Sequence, residues 1–75
     1  MLTNKQTLTL IKNKNKVIDL YEKHLDKEIK TKSFNDAERE ASLKAFEEIL
    51  GENVKASNYE IFAIFDIITR SEKQN

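Results

Sequence analysis

The sequence predicts an all-α protein: a small three-helix bundle with a central hydrophobic C-terminal helix, expected as a dimer. Three observations carry that expectation. The chain has no proline and one glycine among its 75 residues, and 35% of them are charged, a composition that suits helices better than sheets. The stretch Tyr59–Ile68 reads Y-E-I-F-A-I-F-D-I-I, with only Glu60 and Asp66 interrupting it. On a helix it is apolar on nearly every side, as a buried helix is. Finally, Gly51 directly follows the apolar pair Ile49-Leu50, where a helix closes in the left-handed conformation that glycine adopts without a Cβ penalty.

The first helix is expected over about residues 4–30. Thr3-Asn4-Lys5-Gln6 has the T-x-x-Q form of a capping box, with Leu2 placed as the hydrophobic staple. Leu10, Ile11, Val17, Ile18, Tyr21, Leu25 and Ile29 recur at helical spacing as one broad stripe. Asp19–Lys23, Asp26–Lys30 and Glu28–Lys32 are acid-then-base pairs four apart, each supporting a helix by about 0.2–0.5 kcal/mol. A weak patch interrupts this pattern. Thr7-Leu8-Thr9-Leu10-Ile11 alternates like a strand, and Lys12-Asn13-Lys14-Asn15 reads as a turn. The alternatives there are a hairpin over residues 7–21, two short helices, or a frayed first turn. Asn and Thr weaken a helix interior because their side chains compete for backbone hydrogen bonds.

The second helix is expected over about residues 35–50, capped by Ser33 or Asn35. Asp36, Glu38 and Glu40 lie near its positive end. Leu43, Phe46 and Leu50 share a face, with Ala45 and Ile49 beside them. The third helix runs over about residues 58–70 behind the S-x-x-E box Ser57-Asn58-Tyr59-Glu60. It leaves 71–75 as a polar tail that should fray. At about 100° per residue, Tyr59, Ala63 and Ile67 take one face of this helix. Ile61, Ile64, Phe65 and Ile68 take the opposite face, and Phe62 lies beside Asp66. All 75 residues make one domain at most.

Composition also bounds function. There is no cysteine and a single histidine, so no disulfide framework and no thiolate or imidazole metal site are expected. His24 reads as a packing or hydrogen-bonding residue. Glu40, Glu47, Glu48 and Glu52 lack the spacing of a calcium loop and read as solvated acids. No serine sits in a nucleophile elbow and no glycine-rich loop is present to cradle phosphate. No catalytic residue and no cofactor are expected, and the chain is not read as an enzyme. No segment approaches the roughly 20 apolar residues of a membrane span and no signal peptide is visible, so the expected location is cytoplasmic. Lysine outnumbers arginine eleven to two, a usage common in AT-rich bacterial and phage genomes.

The net charge of zero hides an asymmetry. Residues 1–32 hold eight Lys against four acids, net +4, and residues 33–75 hold five basic residues against nine acids, net −4. On a continuous first helix, Lys5, Lys12, Lys16, Lys23, Lys27 and Lys30 fall within about 60° of one another and extend roughly 38 Å. A row of that shape suits a phosphate backbone, although it lacks arginines and aromatics to read or stack bases. Its alternative is a solvated outer face. A helix-turn-helix is not expected, because a buried third helix does not enter a groove. Asp66 either faces a gap open to solvent or pairs with Lys14, which stands in the apolar stripe of the first helix.

A helix this apolar is not fully covered by two partners. The leading expectation is therefore a non-catalytic interaction protein, a small bacterial or phage regulator, inhibitor or immunity-type protein that binds another protein. Its candidate interface is Tyr59, Ile61, Phe62, Ile64, Phe65 and Ile68, used by a homodimer or a foreign partner. The alternative is a nucleic-acid-binding accessory protein that uses the lysine row, and a small enzyme comes third.

Overall fold

The computed structural model describes residues 1–73. Within them the chain is all-helical, with four helices and no strand: α1 (Asn4–Lys12), α2 (Lys14–Glu28), α3 (Phe34–Leu50) and α4 (Asn58–Lys73). The hairpin alternative over residues 7–21 is thereby removed. The expected first helix is instead two helices, parted at Asn13. There φ −105° and ψ 32° leave the helical well. The physical cause is the side-chain competition that Asn and Thr introduce. Thr9 Oγ1 donates to Lys5 O at 2.9 Å, and Asn13 Nδ2 donates to Thr9 O at 2.8 Å. Hydroxyl back-bonding of this kind bends helices. α4 continues to Lys73, past the expected end at Arg70; of the expected frayed tail, Gln74 and Asn75 lie outside the described residues.

The expected caps are in place. Thr3 and Gln6 close the capping box reciprocally, at 2.9 and 3.0 Å. Ser33 Oγ accepts from Asp36 N at 3.4 Å. Ser57 and Glu60 close a second box, at 3.0 and 3.2 Å. Gly51 sits at φ 70°, and nothing within 4 Å would obstruct a Cβ there, so backbone conformation rather than crowding selects glycine.

α2 and α3 form the most extensive helix pair. They run antiparallel, with two polar rungs one turn apart. His24 bonds Glu48, and Glu28 bonds Lys44 at 2.6 Å. Ala37, Ala41 and Ala45 are fully buried at i, i+4 and i+8 on α3, a row of minimal side chains that lets a neighbouring helix come close. The core itself gathers Leu10, Val17, Phe46, Ala56, Ile61, Ile64 and Ile68, with Leu2, Ile18, Leu43, Ile49, Leu50, Val54 and Phe65 packed around it.

The α3–α4 connection folds back along α3. Val54 N donates to Glu47 Oε2 at 3.3 Å, and Arg39 Nη2 donates to Ala56 O at 2.9 Å. Arg39 Nη1 also reaches Asn58 Oδ1 at 2.6 Å, so α4 begins beside the first half of α3. Glu60 accepts from Leu2 N at 2.9 Å, which ties the start of α4 to the start of α1. α4 and α3 otherwise touch sparingly, and a cleft opens between them.

Candidate functional site

α4 has two faces, and they meet different surroundings. Ile61, Ile64 and Ile68 are buried in the core, and Phe65 is partly buried. Its ring lies against Tyr21 (centroids 4.9 Å apart) and Phe46 (5.7 Å). On the other side Tyr59 is 82% exposed, Phe62 72% and Ile67 44%. Within the chain, α1, α2 and α3 cover one side of α4 only, and the expected uncovered face is the one that carries Tyr59, Phe62 and Ile67. Of the six residues placed in the candidate interface, the chain's own core takes up Ile61, Ile64 and Ile68, and Phe65 fills the floor of the cleft. Tyr59 and Phe62 are left in solvent.

Phe62 is a ridge between two depressions. On one side lies a cleft of about 510 Å³, lined by Tyr21, Asn35, Glu38, Arg39, Ser42, Asn58, Ile61, Phe62 and Phe65. On the other lies a shallower one of about 420 Å³, lined by Tyr59, Phe62, Ala63 and Asp66. The larger cleft has an apolar wall from α4 and a polar wall from α3. Tyr21 OH donates to Glu38 Oε2 at 3.4 Å, and Ser42 Oγ donates to Glu38 O at 2.7 Å. Burial, and then the Glu38 carboxylate beside it, pushes the Tyr21 phenol above its ordinary value, so it stays a neutral donor. Arg39 is held by Ala56 and Asn58 and forms the far lip.

Asp66 pairs with Arg70 on its own helix at 3.2 Å, both side chains mostly exposed. The pairing with Lys14 is thereby corrected: an i,i+4 neighbour is in reach at no further conformational cost, whereas Lys14 sits on the first turn of α2.

The other singled-out groups hold the frame. The Glu28 carboxyl, 8% exposed, accepts from Lys32 and Lys44 at 2.6 Å each. Those two hydrogen bonds, Lys32 first, hold it down to about 2 against the cost of burial. The same bond raises the Lys44 ammonium. Glu28–Lys32 is the one acid-then-base pair of the three that closes among the described residues. His24, by its hydrogen bond, holds the Glu48 carboxyl below its ordinary range. Two more of the four acids singled out take separate partners, Glu47 at Val54 N and Glu52 at Gln6 Nε2. Among the described residues no group of three or more potential ligands is arranged to hold a metal.

The lysine row changes shape. Lys5, Lys12, Lys16, Lys23, Lys27 and Lys30 are all exposed. Yet the break at Asn13 puts Lys5 and Lys12 on α1, Lys16, Lys23 and Lys27 on α2, and Lys30 in the turn beyond it. A straight row of roughly 38 Å does not fit a molecule whose longest axis is 32 Å. No helix among the described residues is long and apolar enough to cross a membrane.

Sequence reasoning missed Arg39, Glu38 and Tyr21 as cleft residues. Arg39 acts on groups 17 and 19 positions away, and no local pattern announces that. Compared with family models, curated proteins and solved structures, the chain matches none.

Proposed function

We propose that the protein is a non-catalytic interaction module of the regulator, inhibitor or immunity type, which works by binding a polypeptide on the outer face of α4. The observation that carries this reading is Phe62: a phenyl ring 72% in solvent, on a regular helix, between two depressions. Isolated exposed apolar residues are ordinary, but Tyr59 and Phe62 line one depression together, and Phe62 continues into a cleft floored by Phe65. Burying one such side chain stabilises a complex by about 1.5–3 kcal/mol. Aromatic rings fixed on a rigid helix carry that energy with little loss of conformational freedom. The polar groups of the cleft are bonded to one another, Tyr21 to Glu38 and Arg39 to Asn58, which suits orientation of a bound chain better than proton transfer.

The test is affinity purification from the native cell with wild-type protein and with Phe62→Asp. A protein that copurifies with the wild type alone, and that rebinds when both are purified, is the expected result. Partners that are the same for both, or none, remove the reading.

A further inference from the structure

We infer that the occupant of the α4 face is a second copy of the same chain, each copy placing its Phe62 ring in the other's cleft. The inference rests on the reading of α4 as a binding surface and names what binds there.

Two observations lead to it, and a third consideration sets its strength. The first is shape. Phe62 stands on the lip of the cleft of about 510 Å³ that it helps to line, so the projection and the recess are neighbours. A two-fold axis beside Phe62 carries each ring to the opposite recess, and the surface complements itself, as an isologous interface requires. Pockets of roughly 300–1,000 Å³ bury ligands well beyond a benzyl group in size, so the ring fits with part of its helix. On the other flank Ala63 lies between Tyr59 and Ile67 in the same i±4 row, a notch in which an opposing ridge can seat.

The second observation is charge. The ions on this face cancel in place: Asp66 with Arg70 at 3.2 Å, and Glu38 beside Arg39 at the cleft. A polyanion or a strongly basic segment meets no complementary field there, whereas a second neutral face meets no repulsion.

The third is area. Tyr59 and Phe62 together offer roughly 300 Å² of apolar surface, against about 800 Å² per partner in an interface of standard size. A dimer of this face therefore falls at the small, exchanging end of interface sizes.

Sedimentation velocity and dilution NMR from about 10 µM to 1 mM read this directly. The expected result is a concentration-dependent shift from 8.8 kDa toward twice that mass, with resonances of Tyr59, Phe62 and Ala63 moving on dilution. Mixed-label samples should show contacts from the Phe62 ring to Tyr21 or Phe65 of the other copy. Phe62→Asp should abolish the dimer and leave circular dichroism unchanged, and Lys30→Gln should change neither. A chain monomeric at about 1 mM, or a dimer that keeps its affinity in Phe62→Asp and lacks the intermolecular contacts, overturns the inference. The two proposals fail separately: a monomer that still loses a purified foreign partner on Phe62→Asp removes the dimer and leaves the binding surface.

Discussion

The α2–α3 pair and the seat of α4 are held by different chemistry. α2 and α3 are joined by two polar rungs, His24–Glu48 and Glu28–Lys44, and α3 carries a row of buried alanines along the helix beside them. α4 is held by apolar side chains along one face, Ile61, Ile64 and Ile68, and, among the described residues, by hydrogen bonds to other elements near its start, through Asn58, Glu60 and the preceding Ala56. Charged rungs fix register and leave the outer sides of both helices polar. An apolar seat on one face fixes depth but places no demand on the opposite face, which is free to carry Tyr59, Phe62 and Ile67. The half of the molecule with the polar cross-links is thus the frame, and the half without them carries the surface.

Substitutions can break this contrast at either side. The largest effect is expected at the seat. Ile68 is fully buried, and Ile68→Ala removes its packing and leaves a cavity, at a cost of about 2–5 kcal/mol in urea denaturation. Next comes the frame. Ala41→Leu forces bulk into a fully buried position and should cost about 1–3 kcal/mol by the same measurement. If Ala41→Leu were neutral, close packing at the alanine row would not be what holds α3 in the frame.

Acid sharpens the comparison further. The Glu28 carboxyl is lowered from 4.5 to about 2. A carboxyl lowered on folding stabilises the protein above its ordinary value, and that contribution fades as pH falls from about 4.5 toward 2. Glu48 and Glu60 are lowered too, so they add in the same direction. Thermal unfolding followed from pH 6 to pH 2 should show stability falling through this window. Glu28→Gln should flatten part of that slope; an unchanged slope would mean that the Lys32 and Lys44 bonds do not persist in solution. The smallest effect is expected at the outer face. Phe62→Asp should change folding stability by no more than about 0.5 kcal/mol, whereas a large loss would mean that the ring packs within its own chain.

Much of the frame was legible in the sequence because its signals are local. Thr3–Gln6, Ser33, Ser57–Glu60 and Gly51 act within a turn of themselves, and each is where the spacing placed it. The division of α4 into an Ile61–Ile64–Ile68 face and a Tyr59–Ala63–Ile67 face also follows from helical periodicity alone. Which of the two faces the chain would cover did not. That depends on where the 51–57 segment delivers α4, and Arg39 decides it by reaching across to Ala56 and Asn58. The break at Asn13 was visible only as a weak patch, since Thr and Asn side chains tilt a balance between a bent helix and a straight one. Glu28 looked like an ordinary surface pair with Lys32, because nothing near it in sequence points to Lys44.

The bond from Leu2 N to Glu60 spans 58 positions, whereas the rungs of the α2–α3 pair span 16 and 24. Closing the longer loop costs about 1 kcal/mol more in chain entropy. Contacts of short span form early in folding and long ones late. The Arg39 bonds to Ala56 and Asn58 span only 17 and 19 positions, so the start of α4 is as local as the rungs. It is the extensive α2–α3 contact that is expected to assemble first, and α4, sparsely packed on α3, to complete its seat last, when its joint with α1 closes. In the folded protein the order reverses: α4 should open most readily, its amides exchanging with solvent ahead of those of α3. Equal protection of the two helices would contradict this. The surface read here as the binding face then belongs to the least permanent element of the chain. A partner seated on Phe62 would retain α4 as well as bind it, and occupancy would be seen first as slowed exchange at Ile64 and Ile68, on the side of the helix that the partner never touches.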